Sequence, residues 1–351
     1  MTILTPKQQK IAAILLERGQ LGSSEIHKEL VKAGEKISLV TIKRALSDMA
    51  ASGFLKISGS GRSTAYAVLP LARIFSEIDA ASYTAVDPDK RHGLAGYNFD
   101  LLPAFPPEVF TDDELAALDS ATAEYNKRIK DLPAAIQKKE MERLIIELSW
   151  KSSKIEGNTY TLLDTEKLIL ENRKAPGKTQ KEAQMILNHK DAFNFIHENS
   201  AFFKTLNRAN LEKLHGILVK SLTVGLGFRE KPVGVVGSKY RPLDNLHQIR
   251  EAVEALGSAV GRMNSPYARA FIALLGISYI QPFEDGNKRT SRLAANALLM
   301  AHGLAPLSYR SVEESEYREA MLVFYELNSI MPFKKIFVSQ YEFAARNYAV
   351  K

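Results

Sequence analysis

The stretch Gln281-Pro282-Phe283-Glu284-Asp285-Gly286-Asn287-Lys288-Arg289-Thr290-Ser291-Arg292 gathers more chemistry-bearing side chains than any other part of the chain. The apolar run before it ends at Ile280, Pro282 enforces a break, and a polar turn feeds the next helix at about Arg289. Gly286, Asn287 and Lys288 therefore sit at a helix N-terminus, where free backbone N–H groups and the macrodipole attract phosphate. Asp285 is a hard oxygen ligand suited to a Mg²⁺ ion bridging two phosphates. Arg289 and Arg292, one turn apart on one face, can each grip a phosphate oxygen in fork geometry. Anion cradle, metal ligand and arginine clamp within one short turn point to a phosphorylated ligand rather than to a plain helix connection.

Outward from this turn the pattern is helical. Thr111, followed by Asp112, Asp113 and Glu114, reads as a capped acidic helix start whose buried face continues through Leu115, Leu118 and Tyr125. Residues 141–150, 164–171, 181–199, 210–220, 246–263, 266–279 and 289–302 also carry helical periodicity. Val233, Val235 and Val236 with flanking glycines predict a β-hairpin over residues 233–240. The fold class is mainly α, a helical domain with one small hairpin and no strand–helix alternation.

The turn closely resembles the signature loop of the Fic (Fido) family, His-x-Phe-x-Asp/Glu-Gly-Asn-Gly/Lys-Arg-x-x-Arg. Phe283, Asp285, Gly286, Asn287, Lys288, Arg289 and Arg292 match it. The resemblance implies a helical core that binds ATP with Mg²⁺ and transfers AMP to a Ser, Thr or Tyr hydroxyl of a protein, which can be the enzyme itself. It further implies that Asp285 holds the metal, Gly286 and Asn287 cradle phosphates, Arg289 binds the β and γ phosphates, and Arg292 binds the γ phosphate.

Two other segments are similar to parts of that family. Ser152-Ser153-Lys154-Ile155-Glu156-Gly157 resembles its inhibitory helix motif, Ser/Thr-x-x-x-Glu-Gly/Asn, with Ser152, Glu156 and Gly157 at the motif positions. Its glutamate pairs with the second motif arginine; a carboxylate there neutralises Arg292 and repels the phosphate that Arg292 should hold. Phe228-Arg229 and the residues after it resemble the region leading into the flap that positions a target by strand addition, which places Val236, Gly237, Ser238, Lys239 and Tyr240 in the flap. The sequence departs from the family at the leading histidine, the general base, where this chain has Gln281. A glutamine amide can orient a hydroxyl but takes no proton near neutral pH, and losing a positioned base costs about 10²–10⁴-fold in rate. Three readings stay open: a nucleotide-binding relative with weak or no transfer, a different base such as Glu284 or a target-side group, or an original histidine replaced in this chain.

Residues 1–70 differ in charge. They hold ten Lys/Arg against five Asp/Glu, and so contribute most of the formal net charge of +7. Thr5-Pro6 reads as a helix start with Ile11, Ile14 and Leu15 on its apolar face; Ser23 precedes a second helix bearing Ile26 and Leu30. A third begins near Ser38, buries Ile42, Ala45, Leu46 and Met49, and stops at Gly53. Residues 54–57 and 65–68 read as strands around Gly59-Ser60-Gly61-Arg62. This outline resembles a winged helix-turn-helix, which implies DNA as a partner, with Thr41, Lys43, Arg44 and Ser47 on the third helix and Lys56 and Arg62 near the wing. Docking on protein is the alternative. The domains so expected are a winged helix at 1–70, a linker at 71–110 with Pro88, Pro103, Pro106 and Pro107, and a Fic domain at 111–351 with its inhibitory helix around 141–158.

At 351 residues, 45% hydrophobic and 25% charged, the chain has ordinary globular composition and room for two domains. With no cysteine, it can form no disulfide, thiolate nucleophile or cysteine zinc site. No apolar run reaches membrane-spanning length and no basic-then-apolar leader opens the sequence, so a cytoplasmic protein with no membrane partner is expected. Gly177-Lys178-Thr179 lacks the first glycine of a P-loop, the position being Asn172, and Gly225-x-Gly227 lacks a third glycine. His189 and His197 are eight residues apart and do not form a metalloprotease pair. A homodimer is left open as a partner. The rival to a transferase is a DNA-binding regulator whose Fic domain senses nucleotide without catalysis.

Overall fold

The computed structural model describes residues 4–130 and 132–350. In chain order its elements begin with α1 (Pro6–Arg18), α2 (Ser23–Lys32), α3 (Leu39–Ala51), β1 (Leu55–Ser58), β2 (Ala65–Val68), α4 (Pro70–Ile74), α5 (Ala80–Thr84) and α6 (Leu101–Ala104). They continue with α7 (Asp112–Lys130), α8 (Ala134–Ile155), α9 (Leu162–Glu171), α10 (Gln180–Glu198), α11 (Arg208–Leu218) and α12 (Leu246–Arg262). The last are α13 (Pro266–Ile280), α14 (Asn287–Ala301), α15 (Glu314–Leu327) and α16 (Met331–Asn347). The protein is mainly α, and among the described residues no helix is long and apolar enough to cross a membrane.

The chain divides into two compact units. One comprises Met1–Phe105, Gly234–Arg241 and Ser315–Lys335; the other comprises Pro106–Val233, Pro242–Glu314 and Ile336–Lys351.

In the first unit, α1 starts with a capping box in which the Thr5 hydroxyl and the Gln8 side chain exchange backbone bonds. Ser38 caps α3 through its bond from the Thr41 amide. Apolar residues at helical spacing meet in a common interior of Ile11, Leu15, Ile26, Leu30, Ile42, Leu46 and Met49, all at most 3% exposed. Strands β1 and β2 pair antiparallel from Leu55↔Val68 to Ser58↔Ala65. Residues 70–105 carry α4, α5 and α6 and bury Ile74, Phe75, Ile78 and Tyr83.

The hairpin expected over residues 233–240 is absent: the segment is a turn closed by the Ser238 amide bonding the Val235 carbonyl. The valines satisfy a strand pattern, but Pro232 and Pro242 bring no donors, and the Tyr240 and Arg241 amides bond the Ser238 hydroxyl and the Ala95 carbonyl instead. No second strand is left for a ladder.

In the second unit, α14 lies at the centre, in contact with α8, α10, α11 and α13. Helix α13 is apolar on all sides and every residue from Ala270 to Ile280 is buried. Asn296 on α14 bonds both the amide and the carbonyl of Leu307, holding the chain after α14 against its flank. Thr122, Tyr267 and Tyr341 share a hydroxyl cluster that ties α7, α13 and α16 together.

Candidate functional site

The turn between α13 and α14 is shaped from within. Gln281 ends α13 in a left-handed conformation, with φ of 51°, and its side-chain amide donates to the Ser278 carbonyl at 2.7 Å. Asn287 spends its whole amide on one residue: Oδ1 accepts from the Phe283 N–H at 2.8 Å and Nδ2 donates to the Phe283 carbonyl at 2.7 Å. Gly286, with φ of 81°, supplies the left-handed position at the head of α14.

Phe283 is fully buried and anchors the turn from below, its ring stacked on His215 at 3.8 Å and edge-on to Phe228 at 5.5 Å. His215 Nε2 donates to the Asp285 carbonyl at 2.9 Å. Burial pushes this imidazole down to about 4, although the bond to Asp285 works the other way, so it is neutral at ordinary pH. On the opposite side Arg229 donates through Nε to the Gln281 carbonyl at 2.6 Å, and its own amide bonds the Pro282 carbonyl at 2.9 Å. Loop backbone is thus fixed by Asn287, His215 and Arg229 before any ligand arrives.

The charged groups line up along the first turns of α14. Asp285 is half exposed and lies 3.6 Å from Arg289. Arg289 is 2% exposed, and its Nη1 has no partner. An orphaned guanidinium nitrogen beside free helix-terminal amides is a fit for phosphate oxygens. Asp285 is a lone carboxylate: among the described residues no three His, Asp or Glu converge as a metal cage. A cation there would take its remaining ligands from phosphate and water, the usual habit of Mg²⁺.

Arg292, fully buried, donates Nε to the Ser152 hydroxyl and Nη2 to the Ser152 carbonyl, each at 2.9 Å. The same Nη2 lies 2.9 Å from Glu156 Oε1, while Lys288 lies 3.5 Å from Oε2. Glu156 caps the C-terminus of α8, and Gly157 with φ of 91° turns the chain away. Burial pushes the Glu156 carboxyl up, but Arg292, Lys288 and Arg289 together hold it below the usual carboxylate range. Behind the pair His189 is fully buried, and burial with the two arginine charges keeps it neutral.

Ser152, Glu156 and residues 281–292 are therefore brought together in one unit. Glu284 is exposed, with its carboxylate accepting from the Gly225 amide at 3.2 Å. Val236, Gly237, Ser238, Lys239 and Tyr240 belong to the other unit; Val236 is 95% exposed and Tyr240 is buried. In that unit Lys43, Arg44, Ser47, Lys56 and Arg62 are exposed and Thr41 half-buried. His215 was not legible from sequence: a single histidine inside the amphipathic α11 has no spacing that distinguishes it from a packing residue.

Residues 205–299 match the model of the Fic/DOC family, which places a Fic/DOC domain across α11 to α14. Among relatives, the Protein adenylyltransferase Fic of Aedes aegypti is 31% identical over 212 residues, 58% of this chain and 42% of that protein. The Protein adenylyltransferase fic-1 of Caenorhabditis elegans is 24% identical over 199 residues, 55% of this chain and 39% of that protein. The chain spans about two fifths of the length of these curated relatives. The solved structure of Fic-1 residues 134–508 from C. elegans superposes with a TM-score of 0.58 at 20% identity, over 67% of this chain and 72% of that one. A Fic family protein from Desulfovibrio desulfuricans G20 gives 0.56 at 19%, over 69% and 75%. These likenesses establish the Fic fold.

Proposed function

We propose that the protein is a protein adenylyltransferase of the Fic type, which binds ATP with Mg²⁺ at the 281–292 turn and is held in check by Glu156. The carrying observation is the Glu156 carboxylate lodged on Arg292 beside a buried, part-unpartnered Arg289. A carboxylate on the terminal guanidinium occupies the place a γ phosphate would take. Lys288, Arg289 and the α14 amides remain to bind the other phosphates, and Asp285 would hold the metal. ATP would supply the AMP group and Mg²⁺ would neutralise phosphate charge. The acceptor is a Ser, Thr or Tyr hydroxyl of a target protein. The relatives named as adenylyltransferases support this reading.

One observation favours a second reading. The Gln281 amide is already engaged with the Ser278 carbonyl and offers no base. In that reading residues 1–70 form a winged helix that binds DNA through Thr41, Lys43, Arg44, Ser47, Lys56 and Arg62, and the Fic domain reports nucleotide without transferring it. Labelling with α-³²P-ATP and Mg²⁺ separates the two, comparing this chain with Glu156→Gly and with Glu156→Gly/Gln281→His. Label in the single variant establishes a working transferase with Gln281 in place. Label only in the double variant hands the protein to the sensor reading.

A further inference from the structure

Within the first unit a buried ion pair sits where three separate stretches of chain meet. Arg91 and Glu326 have side chains 2% and 0% exposed and lie 3.2 Å apart. Around them gather the backbone and side chains of the 234–241 loop: Arg91 donates to the Gly237 carbonyl, Lys239 donates to the Arg91 carbonyl, and the Ser238 hydroxyl donates to Glu326 Oε1 at 2.7 Å. Tyr240 stacks on Tyr325 of α15 at 5.8 Å, and the Arg241 amide bonds the Ala95 carbonyl.

The same stretch grips helix α1. His92 Nδ1 donates to the Leu16 carbonyl at 2.9 Å, and its ring lies so close to Gly19, at the end of α1, that a Cβ there would fall 2.8 Å from Nε2. The Tyr83 hydroxyl lies 2.8 Å from both the His92 carbonyl and Glu326 Oε2. Leu16, Ile78, Tyr83, Val323 and Leu327 complete the joint as one apolar cluster. A buried ion pair adds little stability over apolar residues of the same volume, because desolvation offsets its attraction. What it gathers here is a set of partners: Glu326 accepts from Ser238 and Tyr83 as well as pairing with Arg91.

We propose that Arg91, His92 and Glu326 are positioning residues that lock the 234–241 loop to helix α1, so that the three-helix domain sets the loop's conformation. Hydrogen exchange on the full chain tests it, with His92→Ala severing the α1 side and Arg91→Met/Glu326→Leu replacing the pair by apolar bulk. In both variants the Ser238, Tyr240 and Arg241 amides should exchange about tenfold faster, the effect of losing roughly one hydrogen bond from a local closed state. Amides of α14 and the affinity for ATP should not move. Loop exchange that stays at the starting rate in the double variant, or that rises equally along the whole chain, would overturn the proposal.

Discussion

Glu156 Oε1 lies 2.9 Å from Nη2 of a fully buried Arg292 that also donates to the Ser152 hydroxyl and carbonyl. One carboxylate thus neutralises a charge that the fold has already taken out of water. Removing it should have two opposite effects. Glu156→Gly removes the carboxylate partner of a buried guanidinium and should lower stability by about 1–3 kcal/mol without nucleotide, the order of one charge-assisted hydrogen bond. On the proposed reading a phosphate of ATP takes the place of the carboxylate, so the variant should gain more thermal stability from ATP and Mg²⁺ than the parent does. Calorimetric titration and thermal unfolding measure both; equal ATP affinity and equal stabilisation in the two proteins would sink the inhibitory role.

Arg289 should discriminate between nucleotides. Its buried Nη1 is the free donor at the head of α14, so Arg289→Ala should weaken ATP by at least about tenfold, a charge-assisted bond's worth. AMP, lacking the outer phosphates, should lose far less. Comparable losses for both would show that Arg289 does not meet those phosphates.

The loop should depend on the ring beneath it. Phe283→Ala removes a fully buried side chain stacked on His215 and should cost about 3–5 kcal/mol in denaturant unfolding. The milder Phe283→Leu should keep the fold yet weaken ATP binding, because the loop's support is lost before the core is. A Phe283→Leu protein with unchanged ATP affinity would make the stack a packing feature alone.

Acid should act on buried groups that start in different states, His189 neutral and Glu156 ionised. His189 is held neutral in the fold, so the unfolded chain takes up a proton first; its stabilising effect is complete above the free imidazole value of about 6.5 and shrinks as pH falls below it. Glu156 is held ionised, so its contribution is complete above the free carboxyl value of about 4.3 and is lost only as pH drops through its lowered folded value. Unfolding free energies between pH 8 and pH 3 should therefore decline from about pH 6.5, where His215 contributes as well, with a second decline below about pH 4 that is shallower in Glu156→Gln, the rest belonging to Glu182 and Asp164, whose carboxyls are also held low. A second decline of unchanged depth in Glu156→Gln would show that the pair with Arg292 adds no acid-sensitive stability.

Much of this was readable before any coordinates. The α1, α3 and α13 boundaries follow from Thr5-Pro6, Ser38 and Pro282, since caps and prolines act within a turn of themselves. The break at 281–292 was equally local. What the sequence did not disclose depends on partners far along the chain. Residues 233–240 have strand-like valines but no strand to pair with, because their donors are taken by Ser238 and Ala95. His215 and Arg229 shape the loop through single backbone carbonyls, a contact no spacing encodes. That residues 234–241 and 315–335 join the N-terminal stretch was hidden for the same reason.

The backbone at Gln281 carries its own consequence. A left-handed φ of 51° is awkward for most side chains, costing about 1–2 kcal/mol, and histidine, asparagine and aspartate are among the residues that adopt it more readily. The loop around it is also anchored by Arg229, His215 and Asn287, and the side chain at 281 adds one bond, from its amide to the Ser278 carbonyl. On the proposed reading, one substitution at this position would lose or regain the base while the architecture stays as it is, which would make residue 281 an evolutionary hinge between a catalyst and a reader of nucleotides.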